Sequence, residues 1–119
     1  MDERRMWVES VLNKAVTENV MFSRCRIGEF NVVMAYDQDS CEYALSICSP
    51  KDRFDRGYGR AVAYERMRSP RGGLMTGVRE SWPSRRGDWR IKQALMDCER
   101  AGLKMPKGMT EVWEHVLEE

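Results

Sequence analysis

The chain reads as an α+β domain, and three observations carry that reading. Apolar residues recur at helical spacing near the N-terminus. From Asn19 the period switches to two across three consecutive runs. A helical segment with its own start signal then follows almost directly. The expected architecture is an N-terminal helix, a three-stranded antiparallel β-meander, a central basic amphipathic helix, an irregular basic loop and two C-terminal helices. A length of 119 residues suits one domain with a modest core. Within it, 1–68 would form an α-β-β-β-α core, 69–88 the loop and 89–119 a helical C-terminal part.

Asp2 is placed to cap the first helix. Val8, Val11, Leu12 and Ala15 make its apolar stripe, Trp7 lies at the margin, and the helix should end near Val16. The runs VMFSRCRI, FNVVMAY and CEYALSIC are rich in β-branched and aromatic residues and alternate as strands do. Phe30, Val32, Met34 and Tyr36 share one face of the second, and Tyr43, Leu45 and Ile47 one face of the third. Gly28-Glu29 and Asp37-Gln38-Asp39-Ser40 are short enough to be hairpin turns, and turn chemistry accounts for the paired aspartates of the second.

The central helix is expected over Ser49–Arg68, with Ser49 as cap, Pro50 in the first helical position and Asp52 in a capping box. At 100° per residue, Phe54, Tyr58, Ala61 and Val62 fall on one face. Arg53, Arg56 and Arg60 fall on the opposite face, in a stripe that Tyr64 and Met67 continue. Gly57 and Gly59 each cost about 1 kcal/mol relative to Ala in a helix interior, so they mark a kink, a split or a close approach; packing of a strand against Gly59 is the favoured reason. Residues 69–88 hold two prolines and four glycines and read as irregular. Asp88 then offers a cap, Ile91, Ala94, Leu95 and Cys98 an apolar face, and Gly102 a stop. Thr110 would cap a last helix packed through Val112, Trp113, Val116 and Leu117.

Charge is distributed unevenly. The net of +1 divides into −3 over residues 1–50, +7 over 51–92 and −3 over 93–119. A basic middle between acidic ends predicts a local electropositive patch. Guanidinium groups match phosphate geometry two bonds at a time, so Lys51, Arg53, Arg56 and Arg60 are the leading candidates to bind a phosphate-bearing partner, nucleic acid or nucleotide. Tyr64, Arg71, Trp82, Arg85 and Arg86 form a second set, in which arginines take phosphate and an aromatic ring stacks on a base. The competing explanations are a solvated basic face and a Trp82 that plugs the loop onto the core. Arg24 and Arg26 share one side of the first strand and read most simply as an exposed strand face.

Other chemistry is weakly supported. No G-x-S-x-G, Walker loop or H-E-x-x-H is present, and His115 is the only histidine. Cys25, Cys41, Cys48 and Cys98 form no C-x-x-C, which argues for free thiols rather than a metal site. No metal, cofactor or catalysis is expected. No apolar run approaches the ~18 residues of a membrane span, and MDERRMW lacks an apolar signal core, so a cytoplasmic protein is expected. An exposed edge of the small sheet would permit homodimer formation by strand pairing.

Two resemblances add to this. The order helix, strand, strand, strand, helix in residues 2–68 resembles a double-stranded-RNA-binding domain, and Lys51, Arg53 and Arg56 match that family's phosphate-holding positions. The chain lacks the family's K-K-x-A-K signature and its glycine-containing loop before the helix. The stretch C-S-P-K-D-x-F-x-R-x-x-G-R-x-x-A-x-x-R, residues 48–66, resembles one in small uncharacterised proteins of bacteriophages and mobile elements. That resemblance implies a bacterial cytoplasm and an accessory role, and carries over no functional residues. The main expectation is therefore non-catalytic phosphate binding. The alternative is a protein-binding inhibitor or anti-defence factor that blocks a host protein, and an enzyme comes third.

Overall fold

In the computed structural model, residues 2–70, 75–103, 105, 106, 108 and 109 are described. The elements are α1 (Glu3–Val16), β1 (Val20–Ile27), β2 (Phe30–Asp37), β3 (Glu42–Cys48), α2 (Arg56–Arg68), β4 (Thr76–Val78) and α3 (Gly87–Arg100). The strands form one antiparallel sheet in the order β1-β2-β3-β4. Both faces of it are covered. α1 and α2 close one face around Val33, Ala35 and Ala44. α3 closes the other around Val32, Met34, Leu45 and Tyr43. β2 is therefore buried on both sides, which explains why FNVVMAY carries apolar residues at nearly every position instead of alternating.

The hairpins follow from their turn residues. Gly28 takes φ +60° in the two-residue turn that leaves Ile27 opposite Phe30. At the second turn, Asp37 Oδ1 accepts the backbone N–H groups of Asp39 (2.8 Å) and Ser40 (3.2 Å). α1 begins at its Asp2 cap and buries Val11 and Ala15. α3 ends as expected: Gly102 adopts φ +81°, its N–H reaches Glu99 O, and the N–H of Leu103 reaches Cys98 O, which satisfies two terminal carbonyls.

Four expectations need correction. First, the sheet has four strands. Residues 76–78 lie within the segment read as irregular, yet they pair with Glu42–Ala44. Three residues beside a glycine carry too little period to announce a strand. The pairing instead depends on Tyr43, whose ring lies over Gly77 so closely that a Cβ there would stand 2.6 Å from the hydroxyl oxygen. Second, α3 is not an appendage but the cover of the second sheet face. It starts at Gly87 after Arg86, and Asp88 lies in its first turn, where its charge suits the helix dipole.

Third, α2 starts at Arg56 rather than near Ser49. Its cap is Asp55, whose Oδ1 accepts the Tyr58 N–H at 3.1 Å. Ser49–Asp52 closes a separate turn, with the Asp52 N–H on Ser49 O and the Lys51 N–H on Ser49 Oγ. Fourth, Tyr64 and Met67 are buried, at 4% and 2% exposure, while Tyr58 stands 37% exposed. Gly57 faces Val8 of α1, and Gly59 faces Val33 of β2, so α2 sits tightly in the corner between helix and sheet. Two buried sides replace the single apolar face of a simple amphipathic helix. The expected last helix, from Thr110, lies outside the described residues.

One charge network ties these layers together. Arg68, in the last turn of α2, pairs with Asp37 at 2.6 Å and Glu18 at 2.8 Å, and stands 3.9 Å from Glu42. The Tyr64 hydroxyl also donates to Glu18 (2.8 Å to Oε2). Hydrogen bonds from Tyr64 and Arg68 hold the Glu18 carboxyl below its ordinary range. Burial opposes ionisation of Asp37, but Arg68 and the N–H groups of Asp39 and Ser40 outweigh it, and its pKa too is lowered.

Two predictions follow from this packing. Arg68→Met should cost about 3 kcal/mol, the low end for removing one partner of a buried pair, because the Arg68 side chain keeps 29% exposure. Both carboxyls have folded pKa values below their unfolded ones. The stability they contribute is therefore present above the ordinary carboxylate range, about pH 4, and is lost as pH falls below it. Urea titrations from pH 7 to 3 should show that acid loss in the parent chain and a shallower one in Arg68→Met; equal slopes would count against the network. Gly77→Ala should lower stability by roughly 1–3 kcal/mol through overpacking on Tyr43, measured by thermal melting.

Candidate functional site

The N-terminal ends of α1 and α2 come together, and a cleft of about 450 Å³ opens beside them. Arg4 reaches it from the first turn of α1, Arg53 and Phe54 from the extended segment before α2, and Tyr58 and Val62 from α2 itself. Arg66 lines it from deeper along α2, where its Nη1 donates to Leu45 O at 2.9 Å. A more open pocket adjoins the cleft. The two share Arg4, Arg53, Phe54 and Asp55, and Arg56 is added in the second. The Arg4 guanidinium lies 3.5 Å from the Tyr58 ring centroid, and Trp7 stands 6.0 Å from the same ring. Arg24 of β1 approaches the Phe54 ring at 5.4 Å.

The electrostatics favour an anion with limits. Arg4, Arg53 and Arg56 make no ion pair among the described residues, in contrast to Arg68, Arg79 and Arg86, each of which does. Asp52 and Asp55 share the cleft, but Asp55 is committed to capping α2. The first N–H groups of α2 have no intrahelical acceptor, which adds partial positive charge on this side.

Of the nine residues expected from sequence, Arg53 and Arg56 meet here. Lys51 is exposed in the preceding turn. Arg60 is half-buried, with its guanidinium 5.6 Å from the Phe22 ring. Tyr64 is withdrawn into the core beside Glu18, so the stripe it was expected to continue is broken. Trp82 packs edge-on against Tyr36 (5.3 Å) and Tyr43 (5.8 Å), with Arg79 at 5.2 Å, which is the plug reading of that side chain. Arg85 and Arg86 precede α3, on the opposite face of the sheet, and Arg86 pairs with Asp88 at 2.8 Å. Arg71 lies outside the described residues. Sequence reasoning missed Arg4, Tyr58 and Arg66. For Tyr58 a signal existed: glycines on both sides press the helix against its neighbours and leave the ring between them at the rim. Arg4 is a first-turn residue with no local signal.

Little supports nucleophilic chemistry here. Burial pushes the Cys25 thiol up to about 11 and raises that of Cys48, so both stay protonated near neutrality. Among the described residues no group of three His, Cys, Asp or Glu is arranged to hold a metal ion, and no helix is long and apolar enough to cross a membrane.

Comparison with known proteins yields no relative: no family model matches the chain, and neither does any curated protein or solved structure.

The exchange of burial between Tyr58 and Tyr64 on α2 is directly testable. Tyr64→Phe removes a hydroxyl that serves Glu18 and should cost about 1 kcal/mol. Tyr58→Phe alters a rim residue and should stay within about 0.5 kcal/mol. Chemical denaturation of both variants decides it; the opposite ranking would restore the face expected from sequence.

Proposed function

We propose that this chain is a small non-catalytic accessory protein that binds a phosphate-bearing partner, nucleic acid or nucleotide, through the cleft at the start of α2. One observation carries the reading. Three arginines from two separate helical starts, Arg4, Arg53 and Arg56, converge on connected pockets without a carboxylate committed to any of them among the described residues. Unpaired guanidiniums gathered in a concavity suit phosphate oxygens, and none of the three is drawn to a carboxylate as Arg68, Arg79 and Arg86 are. The resemblance of residues 48–66 to bacteriophage proteins adds a bacterial host cell to the reading.

A second reading, a protein-binding inhibitor, is favoured by Met6 and Trp7, 54% and 39% exposed, beside the exposed Tyr58. Aromatic and methionine side chains are enriched in protein interfaces. A host protein that stays bound through nuclease and high salt would select it.

The phosphate reading is tested on protein purified natively at low salt. Absorbance at 260 nm, with mass spectrometry of material released by heating, should reveal bound oligonucleotide or nucleotide. An Arg4/Arg53/Arg56 triple-alanine variant should lose it while keeping its melting temperature within a few degrees. Oligonucleotide would also leave steeply with added salt. Equal retention by parent and variant, or a parent that neither carries nor takes up phosphate compounds, would overturn the proposal.

A further inference from the structure

We infer that the ligand of this cleft is a single nucleotide, one phosphate and one planar ring, rather than a nucleic-acid strand. The inference rests on the phosphate reading of the same site and deepens it. The first argument is size. A cleft of about 450 Å³ and an adjoining pocket of about 480 Å³ with a shared lining stay within the range of small-ligand pockets, roughly 300–1,000 Å³, with room for a ring in one and a phosphate in the other.

The second argument is the division of the lining. The more open pocket is almost wholly charged, with Arg4, Arg53 and Arg56 around it. The first cleft adds Tyr58, Gly59 and Val62, and Phe54 belongs to both. A phosphate therefore has its place at the wide, cationic end, and an uncharged ring its place beyond Phe54. Two flat surfaces border that place: the half-buried Phe54 ring, and the Arg4 guanidinium lying on Tyr58. Aromatic rings and guanidinium planes are what a nucleobase stacks on.

The third argument is charge. Asp52 lines the cleft but not the open pocket, and Asp55 borders both, its Oδ1 held by the Tyr58 N–H. These carboxylates repel the successive phosphates of a strand running through, but at the open pocket Arg53 and Arg56 outnumber Asp55 and hold a single phosphate, with Arg4 on Tyr58 at the boundary between phosphate and ring. A groove for a polymer would need a basic track continuing past the cleft. Arg85 and Arg86 lie instead across the sheet, Arg86 is neutralised by Asp88, and of the cations nearer the cleft Arg24 and Arg60 lie over the Phe54 and Phe22 rings.

The test is calorimetric titration of the full chain with four kinds of probe: the nucleoside 5′-monophosphates, ribose 5-phosphate, inorganic phosphate, and a twelve-nucleotide single-stranded DNA with and without added salt. At least one monophosphate should bind at 1:1 and exceed ribose 5-phosphate by about tenfold. Phe54→Leu should remove most of that advantage, at least about fivefold, and leave ribose 5-phosphate unchanged, as expected if a stacked ring is lost. Arg53→Ala should weaken nucleotide and ribose 5-phosphate alike, by about tenfold or more. Val62→Trp, which fills the ring's place, should abolish the nucleotide advantage, with a thermal melt to confirm folding. Monophosphates no tighter than ribose 5-phosphate, or a Phe54→Leu variant that binds them unchanged, would overturn the single-nucleotide inference. DNA binding with no monophosphate binding would overturn it and keep the phosphate reading. Failure of every phosphate probe would overturn both.

Discussion

Arg68 is the point where the chain's layers are locked. Its guanidinium is shared between Glu18, after α1, and Asp37, at the end of β2, with Glu42 of β3 nearby. Asp37 is only 5% exposed, and a lone carboxylate there would be costly; its two oxygens are divided between the arginine and the turn that starts β3. A single cation thus neutralises charges contributed by segments some thirty to fifty residues away, and it does so from the last turn of α2. Once that end of α2 is anchored, the helix has one way to lie.

The consequence is felt at the other end of the helix. With Tyr64 and Met67 drawn into the corner formed by α1 and the sheet, and Gly57 and Gly59 allowing close approach, the start of α2 is brought beside the start of α1. That juxtaposition makes the cleft. Arg4 and Arg53 are about fifty residues apart in sequence and border the same space only because the two helices share a sheet face. The Tyr58 ring, excluded from the interior by the same close packing, becomes a platform for Arg4 instead of a core residue.

The arginines of the basic middle separate into two populations. Arg68, Arg79 and Arg86 are paired with carboxylates, and Arg66 caps a carbonyl of β3. Their charge is largely spent within the fold. Arg53 and Arg56 have no such partner among the described residues and remain directed at the cleft. A net charge summed along the sequence cannot make this distinction, because every pairing carboxylate except Asp88 lies well away in the chain. The tryptophan read as a stacking platform shows the same principle. Trp82 sits among basic residues in sequence, yet it packs edge-on with Tyr36 and Tyr43, and Arg79 lies over its ring.

Local pattern was sufficient for α1, for three strands with their faces and turns, and for the glycine that stops α3. These depend on periods of 3.6 and 2 and on turn residues acting within a few positions. It was insufficient wherever a residue answers to a distant partner. The fourth strand needs β3 beside it; α2 begins at Asp55 because the preceding segment lays Phe54 against the core and frees that carboxylate to cap. The orientation of α2 needs both a helix and a sheet to press against, so a single amphipathic stripe pointed the wrong way for Tyr64. The sequence by itself determined that the middle of this chain is basic and helical. Only the tertiary structure decided which cations are consumed by folding and which are left to meet a ligand, since that depends on carboxylates and rings brought together from across the chain.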